Sequence, residues 1–439
     1  MTTAVRRAEW LERFGPYSPS SLSESIDPSA TAKRSAGRRE TLAIVIGSLV
    51  AAVAAYIFLQ VSARVLGPEA FAPISTLWTL QFLVLAVALV PVEQLATRSR
   101  AIGSEPPFRS AWTVGLASAG AVALLAFFNR ETLYNGSALF VVLTPLAILT
   151  TTVYAMGRGL LAGEERYARY GQVTGGHSLA RLGAGAPLLA LTTQPAIGGW
   201  AIALAPLTVL AWRPFKDDSG RARTAPERAA PFLSGLLVGN GFAQVILLGG
   251  PLVVGWLGGS PSAISLTFVV LTLFRAPVAV AAEVLARLLP PFTRMAKEGR
   301  FDALRRVSLW IAAGGVGLTV VAAFVASWIG APVTVFLFGS DYRPDVSVAV
   351  WVAAGSVLAT VGMALNQILV GVGRTWLIAA SWGVAAAIAA VTLALVGGAP
   401  VDRVVVAFAA GQGAAVVSLV AAIVGATAGR WTVSSRVVP

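Results

Sequence analysis

Twelve apolar runs punctuate this chain, and its positive charges sort between alternate gaps in a way few folds tolerate. Of 33 Lys and Arg residues, 27 lie in the gaps that share a side with the N-terminus; four (Arg64, Arg130, Arg343 and Arg403) lie in the intervening gaps, and two (Arg181 and Arg275) fall inside runs. Short loops rich in Lys and Arg stay on the cytoplasmic side of a membrane. The alternation therefore predicts a polytopic membrane protein with both termini cytoplasmic. Its spans must be helices, because an open sheet edge or a loop in lipid leaves backbone groups without hydrogen bonds. Composition agrees: with 56% hydrophobic and 12% charged residues, a globule of 439 residues has too little polar surface to face water.

The net charge of +13 is spread over alternate loops and forms no single patch, so nucleic acid is not expected as a partner. Cysteine is absent and there is one His, which excludes disulfides, thiolate chemistry and a Cys/His zinc cluster; no cofactor is expected. Arg outnumbers Lys by 30 to 3, a bias that suggests a GC-rich bacterial genome.

A span needs about 20 apolar residues to cross roughly 30 Å of hydrocarbon. The runs that qualify are 41–63, 72–92, 111–128, 138–156, 171–191 and 196–212, then 232–257, 264–285, 307–326, 346–370, 376–395 and 404–424. Residues 1–40, basic and Ser-rich, read as a disordered cytoplasmic tail that is not a cleaved signal peptide and whose charge reads first as a positive-inside anchor, with contact to anionic headgroups as the alternative. An N-lobe of six helices (41–213), a cytoplasmic linker (214–230), a C-lobe of six helices (231–426) and a short tail (427–439) follow. The halves resemble each other weakly. Leu66-Gly67 and Leu257-Gly258 each close a Gly-containing helix, with the glycines 191 positions apart, and Glu93 and Glu283, 190 positions apart, each end the next helix before a basic loop. Such pairs at nearly one offset suggest a duplicated six-helix unit.

These segments carry a family resemblance. Val61 to Phe71, with Arg64, Leu66, Gly67, Pro68 and Glu69, resembles the "ARxLGPxxFG" signature that follows the first helix in bacterial polysaccharide transporters of the MOP flippase superfamily. Gly157-Arg158-Gly159-Leu160-Leu161-Ala162-Gly163, followed by Arg166-Tyr167, is similar to that family's "RGxLxGxxRF" loop; Phe274-Arg275-Ala276-Pro277 and Leu289-Pro290-Pro291 resemble its eighth helix. Ala72 stands where the family often has Gly. The similarity spans roughly residues 41 to 425. It implies an all-α fold of 12 transmembrane helices in two pseudo-symmetric six-helix lobes around a central cavity, alternating between inward and outward openings. The implied activity is flipping of an undecaprenyl-pyrophosphate-linked oligosaccharide across the bacterial cytoplasmic membrane for surface polysaccharide assembly. Lipid-linked oligosaccharide, bilayer lipids, and a glycan polymerase with glycosyltransferases are the implied partners.

The polar residues inside the runs are the candidate site. An Arg at the bilayer centre costs about 2.5–3.5 kcal/mol on insertion scales unless it faces a wet cavity or a partner. Thr174, His177 and Arg181 share one helical face. The functional reading gives Arg181 and Arg275 to the cargo pyrophosphate, whose geometry suits a guanidinium fork; the bland reading has them snorkel or bond a carbonyl. His177 reads as an interhelical hydrogen-bonding residue or a further cavity contact. Asn240 and Gln244, one turn apart beside Gly235, Gly239 and Gly241, are further candidates for cargo contact, against close helix packing as the alternative. Gly249-Gly250-Pro251 invites a bend in the seventh helix. Glu93 and Glu283 are the acids available for ion coupling, although Glu283 is placed to pair with Arg287 four residues on.

Two alternatives share the superfamily: a multidrug exporter, against which stands the absence of Asp or Glu from residues 41–63, and a lipid II exporter, a branch that usually has fourteen spans. Of another class is a membrane glycosyltransferase or polymerase. That reading needs clustered outward carboxylates, whereas Glu69, Glu131, Asp341, Asp345 and Asp402 are dispersed.

Overall fold

The computed structural model describes residues 28–101, 103–215, 241–285 and 288–428; side chains are described from Leu42 onward, except at 277–284, 290 and 375. Among these residues the chain makes twelve helical passes: α1 (28–66), α2 (68–101), α3 (Phe108–Phe128), α4 (Ala138–Gly163), α5 (167–192) and α6 (195–212), then α7 (241–256), α8 (Pro261–Leu285), α9 (Phe301–Phe338), α10 (Val346–Gly371), α11 (Thr375–Leu395) and α12 (Pro400–Ala428). Short helices at Arg130–Tyr134 and Leu289–Lys297 cap two of the connections. Successive passes run in opposite directions. One end of the bundle therefore gathers the basic loops, such as the one with Arg294, Lys297 and Arg300, and the other gathers the loops at Gly67, Arg130 and Gly258.

Among the described residues eight stretches are each long and apolar enough to cross a membrane. The first, Leu42–Ala101, runs for 60 residues and serves as two passes, because Gly67 leaves the helical region (φ 71°, ψ 171°) and turns the chain back without a loop. Only Gly adopts that conformation at little cost, and Pro68 is pre-set for the first turn of the next helix. Gly258 (φ 80°) ends α7 in the same left-handed region before Pro261 starts α8. The two glycines paired by sequence offset thus close corresponding helices.

Three helices depart most from the sequence expectation. Helix α1 begins at Pro28, so the second part of the expected disordered tail extends the first helix at the basic end. Helix α9 spans 38 residues rather than 307–326, about 57 Å at 1.5 Å per residue. Arg305, Arg306 and Pro332 interrupt the apolar run, but none of them stops a helix whose ends leave the hydrocarbon. Helix α5 is not continuous α-helix: a π-turn at Arg181–Gly185 interrupts it, as another at Leu85–Leu89 interrupts α2. Residues 1–27, and the linker and the beginning of the C-lobe at 216–240, lie outside the described residues.

Glycines set the closest approaches within the N-lobe. A Cβ on Gly171 of α5 would sit 2.2 Å from the carbonyl oxygen of Ala43 on α1, and one on Gly159 of α4 would sit 2.4 Å from that of Glu93 on α2. Small residues at such contacts let helix backbones meet where lipid gives no hydrophobic drive. Outward faces remain apolar: Trp310, Phe324, Trp328 and Phe336 of α9 are all exposed.

The lobes meet at the end poor in basic residues. There Phe71 packs edge-on against Phe268 (5.9 Å between centroids) and Tyr342 (6.4 Å). Arg64 reaches across to the carbonyl oxygens of Phe336 and Leu337 at the end of α9. The Ser265 hydroxyl donates to the Pro68 carbonyl at 2.5 Å, the Tyr342 hydroxyl to that of Ala63 at 3.3 Å, and the Trp256 indole to the Asn129 side chain at 3.1 Å.

Candidate functional site

Each lobe encloses its own polar cluster. In the N-lobe it starts at the close contact of α4 with α2. With no Cβ at Gly159, Arg158 lies against Glu93, Nη2 to Oε1 3.2 Å, both side chains largely buried. The Tyr170 hydroxyl of α5 donates to the same Glu93 oxygen at 3.0 Å, and Arg158 donates in turn to that hydroxyl. The Arg158 guanidinium lies 4.5 Å from the Tyr170 ring centre and 5.3 Å from that of Tyr154. Charge is thus neutralised within the cluster.

Farther along α5 the neutralisation stops. The His177 ring lies against Tyr154 (4.7 Å between centroids), and its Nε2 has no hydrogen-bond partner. Four residues on, Arg181 is only 2% exposed. Its guanidinium lies 4.1 Å from the Trp78 ring centre and 5.5 Å from that of Phe58; one amino group reaches Ser178 Oγ at 3.5 Å, and Nε has no partner. Among the described residues no carboxylate pairs with it. Desolvated cation–π contacts contribute about 2 kcal/mol or more each, enough to offset much of the cost of a buried Arg. The aromatic rings satisfy the charge from its faces and leave the hydrogen-bonding edge largely unused. Such a group can accept a planar or tetrahedral anion.

Arg275 has a different setting. Its Nε donates to the Leu271 carbonyl of its own helix at 2.8 Å, and Nη1 donates to the carbonyl of Leu247 on α7. In a continuous helix the Leu247 oxygen would accept from the residue four positions on, which is Pro251 and has no N–H. Helix α7 breaks at Gly249 and restarts at Gly250, and the Arg275 side chain supplies the missing donor across the break.

The C-lobe cluster is uncharged. A cavity of about 210 Å³ is lined by the amides of Gln244, Asn366, Gln367 and Gln412 and by Trp382, whose indole N–H donates to Asn366 Oδ1 at 3.3 Å. Gln412 is fully buried and neither its Oε1 nor its Nε2 is bonded.

The structure therefore brings His177 and Arg181 together in the N-lobe, with Glu93 at the near end of the same cluster, and places Gln244 in a separate C-lobe cavity. Asn240 and Arg287 lie outside the described residues, as does the side chain of Glu283, so the expected helical pair at Glu283 is not placed. Sequence reasoning passed over Trp78, Tyr154, Arg158 and Tyr170. Arg158 had been counted with a loop, although its spacing of four from Tyr154 marks a shared helical face. It also passed over Asn366, Gln367 and Gln412, neutral residues inside apolar runs whose signal was polarity without charge.

No protein-family model matches this chain. Uncharacterized proteins of Mycobacterium tuberculosis and Mycobacterium bovis are 25% identical to it over 334 residues, covering 70% of this chain and 74% of theirs. Among solved structures, an inward-facing multidrug resistance MATE family transporter of the MOP superfamily matches with a TM-score of 0.61 at 14% identity, over 84% of this chain and 94% of that one. The lipid II flippase MurJ in its inward closed conformation matches at 0.59 and 12% identity, over 87% of each. An outward-facing MATE family structure scores 0.53 at 15% identity, over 88% of this chain and 95% of that one. The chain shares the fold of these structures, and its own helices form twelve passes in two lobes.

Proposed function

We propose that the chain is an alternating-access flippase that carries an undecaprenyl-pyrophosphate-linked oligosaccharide across the bacterial cytoplasmic membrane, its basic end cytoplasmic. The observation that carries this reading is Arg181: a guanidinium buried at mid-span, held by Trp78 and Phe58 and without an acid partner among the described residues. Its unused edge suits an anionic cargo and disfavours the cationic compounds for which a carboxylate would be needed. No Asp or Glu stands between Leu42 and Leu66. The contacts between lobes at the end poor in basic residues fit a state closed on that side. His177 lies one turn before Arg181 on the same helix, and Arg275 is assigned to hold the broken α7 in shape as the lobes move. A lipid II exporter uses the same pyrophosphate chemistry and is the alternative that the test separates.

The test is reconstitution. Proteoliposomes loaded with a labelled undecaprenyl-pyrophosphate-linked oligosaccharide are expected to expose it to an external glycosidase at a rate set by the protein, and lipid II is expected to move far more slowly. Equal rates with empty liposomes would end the flippase reading. Orientation is checked by impermeant maleimide on single cysteines in this cysteine-free chain. Residues 136, 260 and 399 are expected to label in intact cells and the exposed residues 105 and 298 are not.

A further inference from the structure

The cavity of the C-lobe has a chemistry that the arginine cluster lacks, and we propose that it is a subsite for a single neutral sugar ring of the cargo. The proposal rests on the flippase reading above. Gln244 of α7, Asn366 and Gln367 of α10 and Gln412 of α12 surround the space with the indole of Trp382 from α11, and among the described residues no Asp, Glu, Lys, Arg or His lines it. A bare ion of either sign would meet no compensating charge there. A side-chain amide presents an acceptor and two donors in one plane. Neighbouring sugar hydroxyls, each both donor and acceptor, match that pattern, and the apolar face of a sugar ring packs on an indole. The volume of about 210 Å³ lies below the ~300 Å³ at which drug-sized pockets begin, so it fits one ring and not a chain.

Gln412 distinguishes this cavity from packed interior. It lies in the cavity wall with its amide fully buried and both polar atoms unbonded, a destabilising arrangement that a turn of the side chain toward a hydroxylated ligand would relieve. The bond between Trp382 and Asn366 fixes the indole relative to one amide before any ligand arrives. With a pyrophosphate anchor in one lobe and a sugar anchor in the other, one cargo molecule would engage both halves of the transporter, which ties binding to the motion between them.

The test separates the subsite from the parent reading. Gln412→Leu keeps the volume and removes the amide, so it is expected to fold and to melt at the same or a higher temperature. In proteoliposomes it, and Trp382→Leu, are expected to raise KM for a lipid-linked disaccharide about tenfold, the equivalent of one lost hydrogen bond of about 1.4 kcal/mol. The concentration of bare undecaprenyl pyrophosphate needed for half-inhibition should stay unchanged, whereas Arg181→Met should raise it. Equal effects on both ligands, or no effect on either, overturn the subsite. If the wild type moves no disaccharide cargo, the flippase reading fails and the cavity is judged alone, by equilibrium dialysis of radiolabelled glucose and N-acetylglucosamine in a detergent without a sugar headgroup. Saturable binding lost in Gln412→Leu upholds a sugar site; no binding, or binding of sodium-22 in its place, overturns it.

Discussion

The N-lobe cluster is charged and walled by aromatic rings, whereas the C-lobe cavity is lined by neutral amides grouped around one indole, the Arg275 of that lobe being turned onto backbone carbonyls. Both lobes use the same devices of chain direction, a left-handed glycine after the first helix and a helix-starting proline soon after it. The backbone plan is thus shared where sterics demand it, while the chemistry inside each lobe has diverged. A charge in the bilayer needs either an opposite charge or a polarisable wall. The N-lobe uses the first at Arg158, against Glu93, and the second at Arg181, against Trp78 and Phe58. Neutral amides need neither, and their cavity carries unbonded polar atoms instead of uncompensated charge.

The comparison breaks most visibly at Arg181. Arg181→Met is expected to reduce flipping at least about 100-fold while leaving folding intact, since the loss is a charge-assisted anchor and not an ion pair within the lobe. Arg181→Lys should fall between, because an ammonium lacks the fork. Rates of cargo exposure in proteoliposomes decide it. A normal rate in Arg181→Met would leave the N-lobe charge without a role in transport and the contrast between lobes without meaning.

The opposite outcome is expected one cluster away. Glu93→Gln strands the buried Arg158 charge and should lower stability by about 3 kcal/mol, read as a fall in melting temperature of the purified protein. Replacing both members, Glu93→Gln with Arg158→Gln, should recover most of that loss. If the double variant is no better than the single, the pair is not what holds α2 to α4, and the close packing at Gly159 carries the contact by itself.

Sequence periodicity and loop charge were enough to place the helices, because lipid imposes length and hydropathy on every span. What they did not show follows from the same fact: any position in an apolar run reads alike, so partners on different helices stay hidden. Glu93, Arg158 and Tyr170 meet across three helices, and only Glu93 stood out as a candidate. The π-turn that begins at Arg181 leaves no mark in composition. Arg275 was singled out for its cost in the bilayer, yet its neighbour was foreseeable, since Pro251 withholds the donor that Leu247 would have used.

That pairing gives a smaller and sharper test. Arg275→Met is expected to cost about 1–3 kcal/mol in thermal stability, the usual penalty for a buried carbonyl left without its donor. Adding Pro251→Ala restores a backbone N–H within α7 and should return much of the loss. Rescue would assign Arg275 to the α7 break. A variant that keeps full stability but loses cargo binding would instead put Arg275 with Arg181, and both lobes would then hold charge for the cargo.

The smallest effect is expected where the lobes touch. Arg64 bonds the two carbonyls that end α9, and Tyr342 bonds Ala63 from the same corner, so this end is held by a few hydrogen bonds laid over an aromatic contact. Arg64→Gln removes the charge-assisted part, about 1.5 kcal/mol, which shifts a two-state balance roughly tenfold. Spin labels at introduced cysteines, residue 105 in the N-lobe and residue 298 in the C-lobe, report the basic end from the other side of the pivot. If the lobes rock as rigid bodies, loosening the end poor in basic residues must bring the labels together, and the distance distribution should gain a shorter component. An unchanged distribution would mean that the aromatic contact of Phe71 with Phe268 and Tyr342 suffices as the clamp, and the lobes would then be joined by shape and not by the arginine.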